Sequence, residues 1–254
     1  MTPVEQDDGM TTPVRRVVVL APMPLEHKAV TAAFGLRPAD PNDKRGRWVG
    51  TVGPIAVTSL HIGMGPPATR AAVSRLLDEG VDGAHVDHVM IAGICGGLDP
   101  EVDVGTLINP EIVTDHTSGV SYRHSPPGDA PRAGKLLTTE GVTLDLDLVR
   151  RQFEDGYVAV DMETSAVAEI CEPRGCPWSA YRCIGDRPYD GLIDERLLAM
   201  TNPDGSGNHA EIERLLAAEP ELVRRLEQLG RDAAAAAQRA AEAAFQACRV
   251  LGAP

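Results

Sequence analysis

Short apolar runs, glycine turns and helical segments alternate along the first three quarters of the chain. Residues 16–21 (RVVVLA) form a compact β-branched run and predict a buried strand. Pro24 then opens a helix to about Phe34, because a first-turn proline loses only an N–H that has no partner there anyway. Residues 54–62 (PIAVTSLHI) predict a second strand that stops at Gly63-Met64-Gly65, and Pro66-Pro67 start a helix, TRAAVSRLL, ending near Gly80. Residues 86–92 (VDHVMIA) predict a third strand, closed by Gly93-Ile94-Cys95-Gly96-Gly97, and residues 106–114 (TLINPEIVT) another. Residues 115–133, rich in Pro, Gly, Ser and His, predict a long loop. A strand at 135–139, a helix at 144–153 and a short strand at 157–160 follow, the last running into Asp161-Met162-Glu163. A helix at 164–171 and a strand at 178–184, ending at Gly185-Asp186, complete the pattern.

Strand, glycine turn and helix in repetition predict a single α/β domain with a mixed, largely parallel central sheet flanked by helices. Ligands of such sheets bind beyond the carboxyl ends of the strands, so the polar and glycine residues ending each strand become the candidates for function. After Asp186 the character changes. Residues 187–208 are irregular and polar, and a helical C-terminal region spans about 209–250 with a break at Glu219-Pro220. Its run of alanines at 233–237 favours helix but is poorly patterned, which suits support or an interface better than chemistry. Residues 1–13, polar and acidic, predict a flexible tail ahead of a domain at 14–254.

Composition narrows the classes. Of 254 residues 43% are hydrophobic and 24% charged, enough for a packed core. The 37 acidic residues outnumber the 24 basic ones, for a net charge of −13, which argues against binding to nucleic acid or to an anionic membrane. No apolar run approaches the roughly 20 residues that span a bilayer. The first residues lack the basic start and apolar centre of a signal peptide, so a cytoplasmic protein is expected. The five cysteines are odd in number and form no CxxC pair, so neither a disulfide framework nor a zinc ribbon is expected. Nothing calls for a metal or a cofactor.

Four places could carry chemistry. GMGPPA at 63–68 matches the outline of a dinucleotide fingerprint, but the following strand ends in Ile91-Ala92-Gly93 and offers no ribose-binding acid. What remains is a tight turn whose backbone N–H groups can meet a sugar or phosphate oxygen at a helix N-terminus. GICGG at 93–97 is either plain turn geometry or a place where a ligand approaches the backbone closely at Gly93. VDMETSA at 160–166 puts Asp161 and Glu163 at a strand-to-helix junction, either as acids facing the helix dipole or as carboxylates aimed into a cleft, where one of the two suffices. Asp186 ends the next strand, and Glu26 sits in the turn after the first. If the sheet is parallel, Glu26, Glu163 and Asp186 converge, a grouping suited to cleavage through a cationic sugar-like transition state.

APMPLEHKAV, IGMGPPATRAA, IAGICGGLDPEVDVG, VAVDMETSAVAEIC and YRCIGD occur in the order of the motifs of the nucleoside phosphorylase-I superfamily. Over roughly residues 16–186 the chain resembles that superfamily, and its pattern is most similar to the methylthioadenosine/S-adenosylhomocysteine nucleosidases. The resemblance implies cleavage of the N-glycosidic bond between ribose and a purine, with Asp186 as the acid that protonates N7 of the leaving base. It implies Glu163 as the carboxylate on the ribose hydroxyls, Met162 under the sugar, and Glu26 as the group that activates water. It places the turn of Gly63, Met64 and Gly65 beside the ribose and Val142 near the base. His116 and Tyr122 fall in a loop that in relatives reaches a partner's pocket, so a homodimer or higher homo-oligomer is expected. Phosphorolytic relatives carry arginine where Glu26 stands, and arginine and serine where Ile91 and Ile94 stand. A carboxylate repels phosphate, so hydrolysis is expected; the alternatives are phosphorolysis to a ribose 1-phosphate and a non-catalytic nucleoside-binding protein. Gly185 departs from the pattern, which has serine before the acid.

Overall fold

β1 (Arg16–Ala21) alternates its side chains between two cores, Val17, Val19 and Ala21 to one and Val18 and Leu20 to the other, so it lies inside the sheet. The structure is a computed structural model that describes residues 14–252 except 41, 43–45, 129–131 and 133; the predicted tail at 1–13 lies outside the described residues. Asp87 fixes the entry into β1 by accepting the backbone N–H groups of Arg15 and Arg16, both at 2.8 Å.

Around β1 the remaining elements follow in chain order: α1 (Pro24–Ala33), β2 (Arg37–Pro38), β3 (Trp48–Val52), β4 (Ile55–His61), α2 (Pro66–Glu79) and β5 (His88–Gly97). Then come β6 (Leu107–Ile108), β7 (Ile112–Asp115), β8 (Ser121–Arg123), β9 (Lys135–Thr138), α3 (Leu146–Glu154), β10 (Tyr157–Asp161), α4 (Thr164–Cys171) and β11 (Trp178–Asp186). Three helices finish the chain: α5 (Glu195–Ala199), α6 (His209–Ala218) and α7 (Leu222–Leu251).

The strands form one mixed sheet in the order β2-β3-β4-β1-β5-β10-β9-β7-β8, with β11 and then β6 attached beside β5. The centre is parallel: β4 with β1, β1 with β5, and β5 with β11. β10 is antiparallel to β5 and pairs with its last two residues, Gly96 and Gly97, which lie beyond the reach of β1. That arrangement brings the ends of β5, β10 and β11 together. Helices cover both faces, α2 and α4 on one and α1 and α7 on the other, giving the α/β layering the sequence predicted.

Several predicted elements differ in detail. The strand predicted at 106–114 is two strands: β6 runs antiparallel to β11, and β7 parallel to β9. Asn109-Pro110 separates them, since proline cannot donate to a ladder. The predicted loop at 115–133 contains β8, hairpin-paired to β7, and the run WVGTV forms the unpredicted β3. The break at Glu219-Pro220 separates α6 from α7 as expected.

α7 buries Ala236, Ala237, Ala240, Ala241, Ala244, Ala247 and Cys248, a regular stripe against β11, β5 and α1. The alanines are patterned after all; their small size lets the helix lie close to the sheet. The first turns of α7 belong elsewhere. Leu222 joins Leu197, Met200 and Leu215 in a small core of its own, with Ile212, Leu216, Leu226 and Leu229 around it.

Candidate active site

A cavity of about 480 Å³ opens where the ends of β5, β10 and β11 meet the first turn of α1 and the turn before α2. Glu26, Met64, Val142, Asp161, Met162, Glu163 and Asp186 line it, seven of the ten positions singled out in the sequence. Gly63, Gly65 and Gly93 do not line it. Gly65 and Gly93 serve the carboxylates from behind, whereas Gly63 lies against Ala68 and Pro203.

Glu26 stands in the first turn of α1. Its carboxylate accepts the N–H of Met23 through Oε2 and that of Ile94, in β5, through Oε1, both at 2.7 Å. The helix-end acid and the cavity acid are therefore one group. Two backbone donors leave lone pairs free on both oxygens. Gly93 makes this possible: a Cβ there would lie 2.6 Å from Glu26 Cδ and 2.9 Å from Arg182 Nη1. The close approach foreseen at Gly93 exists, but the group that comes close is Glu26 rather than a ligand. Burial pushes the Glu26 carboxyl up to about 7; nearby Arg182 opposes the shift and Glu163 adds to it.

Glu163 sits at the junction of β10 and α4. Its Oε1 accepts the Gly65 N–H at 2.8 Å, and its Oε2 accepts Arg182 Nη2 at 3.0 Å. Gly65 can turn its N–H this way because it adopts φ 86°, in the left-handed region that favours glycine. Met162 lies beside it, its Cε 3.7 Å from where a Cβ of Gly65 would be. Burial raises the Glu163 pKa above the usual carboxylate range; Arg182 pulls it back and Asp161 adds to the rise.

Asp161 borders the cavity, yet its carboxylate is committed to the protein. It accepts Thr138 Oγ1 at 2.7 Å, the N–H of Thr164 at 3.1 Å, the Thr164 hydroxyl, and Arg182 Nη2 at 2.7 Å. The two acids of VDMETSA thus divide their tasks: Glu163 faces the cavity and Asp161 anchors the helix.

Arg182 is the residue that sequence reasoning missed. It is fully buried in β11 and touches Asp161, Glu163 and, at 3.9 Å, Glu26. Burial works against its charge, but the three carboxylates outweigh that and hold it protonated. A lone arginine within the apolar run WSAYRCI was the available signal, because arginine is almost never fully buried unless paired.

Asp186 ends β11 beyond an irregularity in register: Ile184 pairs with Cys95 and Asp186 with Gly96, so Gly185 is an extra residue. Ile184 packs into the core, while Asp186 turns to the cavity. Gly96, its ladder partner, makes room for Val160 of β10 instead: a Cβ there would lie 3.2 Å from Val160 Cγ1 and at an ordinary 3.8 Å from Asp186 Oδ2. Burial pushes its carboxyl up to about 6, with a further push from Asp190. His116 and Tyr122 do not line the cavity. His124, from the same predicted loop, is buried and structural: its Nδ1 donates to Pro110 O and its Nε2 accepts the Ala180 N–H of β11, each at 2.9 Å.

Comparison with known proteins agrees with this architecture. The chain is 25% identical over 154 residues to the 5'-methylthioadenosine/S-adenosylhomocysteine nucleosidase of Tolumonas auensis, an alignment covering 49% of this chain and 65%, just under two thirds, of that relative. It is 28% identical over 178 residues to the futalosine hydrolase of Streptomyces coelicolor, covering 58% of this chain and 76% of that one. A crystal structure of the 5'-methylthioadenosine/S-adenosyl homocysteine nucleosidase of Helicobacter pylori shares the fold, with a TM-score of 0.67 at 15% identity over 93% of this chain and 98% of that one. The model of the phosphorylase superfamily matches residues 16–154, from β1 to the end of α3. Matched over more than half its length, this chain belongs to the phosphorylase superfamily.

Proposed function

We infer that this protein cleaves the N-glycosidic bond of a purine nucleoside or 5′-substituted adenosine with water, releasing the free base. Asp186 is the general acid. A carboxyl pushed up to about 6 keeps part of its protons near neutrality and can donate one to N7 as the bond from C1′ to N9 breaks. The sugar becomes cationic at C1′, and the acidic surroundings favour that charge. Glu26, pushed up to about 7, accepts a proton from the water that attacks C1′. Glu163 accepts hydrogen bonds from the ribose hydroxyls, oriented by Gly65 and Arg182. Met162 and Met64 border the sugar, and Val142 lies on the base side.

What carries this conclusion is the electrostatic layout. Glu26, Glu163 and Asp186 share one cavity, and the guanidinium nearest to Glu26 and Glu163 lies behind them. Phosphate needs a facing cation, and among the described residues none lines the cavity. The two curated relatives above are named as a nucleosidase and a hydrolase, which supports water as the acceptor. We place the protein in the cytoplasm and read it as a homodimer or higher homo-oligomer. The polar, acidic first residues support the placement; the resemblance supports the oligomer, and Val120 on the β7–β8 turn is exposed. Among the described residues no helix is long and apolar enough to cross a membrane.

The test is base release from 5′-methylthioadenosine, S-adenosylhomocysteine, adenosine and inosine, each with and without phosphate. Free sugar and free base at a rate indifferent to phosphate are expected. Asp186→Asn should lower kcat by roughly 10²–10⁴-fold. Release only with phosphate, giving a sugar 1-phosphate, would overturn the role of Glu26.

A further inference from the structure

Asp186 differs from the other cavity acids in what holds it. Glu26 accepts hydrogen bonds from Met23 and Ile94, Glu163 from Gly65 and Arg182, and Asp161 from Thr138 and Thr164. Among the described residues no protein group donates a hydrogen bond to the carboxylate of Asp186. Hydrogen bonds to a carboxylate favour its charged form, so the proton of Asp186 is governed by burial and by nearby charge instead.

A built pair of charges follows it in the chain. After Asp186 comes a single tight turn, Pro188–Asp190, in which the Asp190 N–H donates to Arg187 O at 3.1 Å. Across that turn the side chain of Arg187 grips Asp190 with two arms, Nε to Oδ2 and Nη2 to Oδ1, both at 3.0 Å. This bidentate form fixes a carboxylate in direction as well as in distance. The guanidinium is itself anchored. Its Nη1 donates to Val102 O at 3.3 Å, and its stem lies over Gly97 of β5, where a Cβ would stand 3.3 Å from Arg187 Cγ. Arg225 holds the far end of the turn, its Nη2 donating to Gly191 O at 3.0 Å. The side chains of Arg187 and Asp190 are only 24% and 26% exposed, so water screens their charges incompletely.

Other titratable groups stand around the acid. Glu26 comes from α1, Asp161 and Glu163 from β10 and the start of α4, the Cys95 thiol from β5, and Tyr189 from the turn itself. Arg182, in β11, answers the first three acids. Asp103, in the loop after β5, is almost fully exposed and reaches Arg187 only at 3.9 Å. The charged residues of α3, which packs near the turn, are exposed as well: Asp147, Arg150, Arg151 and Glu154. What lifts the acid is burial first and Asp190 second. A lone Arg187 would act the other way, since a cation one residue from the acid favours its charged form. Asp190 cancels that cation and leaves a net negative push on Asp186.

We propose that Arg187 and Asp190 are a positioning pair for Asp186: the fork of Arg187 pins the Asp190 carboxylate beside the acid, and that fixed negative charge makes Asp186 hold its proton until a leaving base takes it. The proposal rests on the N-glycosidase reading above. Asp190→Asn removes the charge and keeps the shape. Its loss of kcat/KM for 5′-methylthioadenosine should be at least about twofold greater at pH 8.5 than at pH 5, because half a pH unit at the acid is about threefold in its protonated fraction on the alkaline side. Arg187→Lys keeps a cation without the fork and should move the profile the same way. Equal losses at the two pH values in Asp190→Asn, no loss at either, or an unaltered profile in Arg187→Lys would overturn the proposal. Asp190→Ser replaces the first variant should that one fail to fold. Carbon-13 NMR of the Asp186 carboxyl, assigned by its loss in Asp186→Asn, reads the proton directly, and its midpoint should fall by at least about half a pH unit in Asp190→Asn. This separates the pair from the reading beneath it. Absence of base release from every nucleoside removes the N-glycosidase function, whereas an unmoved midpoint ends the role of the pair whatever the substrate.

Discussion

Gly185 and Ile94 are fitted to each other. A Cβ on residue 185 would lie 3.2 Å from both Cβ and Cδ1 of Ile94, so the side chain of Ile94 fills the space that a serine before the acid would need. Ile94 also donates its N–H to Glu26, which ties the packing beside Asp186 to the position of the base. Gly185→Ser should therefore cost about 1–3 kcal/mol by overpacking, and Ile94→Ala in the same chain should recover most of it. Urea unfolding of the two single variants and the pair tests this; strictly additive effects would show that the two sites are independent. At this scale the sequence was legible where a polar residue stood at the end of a strand or at the start of the helix after it, as with Asp186, Glu163 and Glu26. It was opaque where a residue's partner came from a distant element. Gly93 looked like room for a ligand because nothing local shows that Glu26 reaches across from α1. Arg182 looked like part of an ordinary core strand because its three acids lie 19 to 156 positions away in the chain or more closely only in space.

Among the elements, long periodic segments were legible and short ones were not. β1, β4, β5 and β11 carry apolar runs that reveal themselves, while β8 has three residues and β6 has two, too few for any period to register. α7 shows a different limit. Alanine is equally at home inside and outside, so a stripe of alanines has little contrast against a helix rich in them, and its buried face emerged only in contact with β11 and β5. The stripe works by being thin. Ala240, fully buried against Cys183 of β11, has no slack around it. Ala240→Leu should destabilise the protein by about 1–3 kcal/mol, readable as a lowered urea midpoint with unchanged slope, whereas wild-type stability would show a looser interface than the structure describes.

For the whole molecule, two sets of buried groups answer pH in opposite directions. Burial holds His88 and His124 down at about 4 from an ordinary 6.5, so between those values the unfolded chain binds more protons and stability rises with pH. Glu26 and Asp186 are raised to about 7 and about 6 from 4.5 and 3.8, so over that range the folded chain binds more protons and stability falls as pH rises. The two effects oppose each other, with buried Glu163 adding to the second and His27 to the first. Tm should vary little between about pH 4.5 and 6.5, and the Glu26→Gln, Asp186→Asn double variant should uncover a Tm that climbs with pH over the same interval. A double variant as flat as the parent would mean that the histidines are not held neutral.

α7 joins the small core around α5 and α6 to the body of the fold. Leu222, Leu226 and Leu229 belong to the small core, and the stripe from Ala236 to Cys248 is clamped on the sheet and α1. Between the two stretches stands Gly230, with no neighbour within 4 Å of where its Cβ would be. Mechanically this is a propped beam, built in along the stripe and thinnest at Gly230. At 1.5 Å per residue the arm from Leu222 to Leu229 is about 12 Å long. Its far side rests on the body, where Pro203 O holds the Met64 N–H and Asp204 O lies 2.9 Å from His61 Nε2, so a bend at Gly230 would have to break contacts beside the cavity.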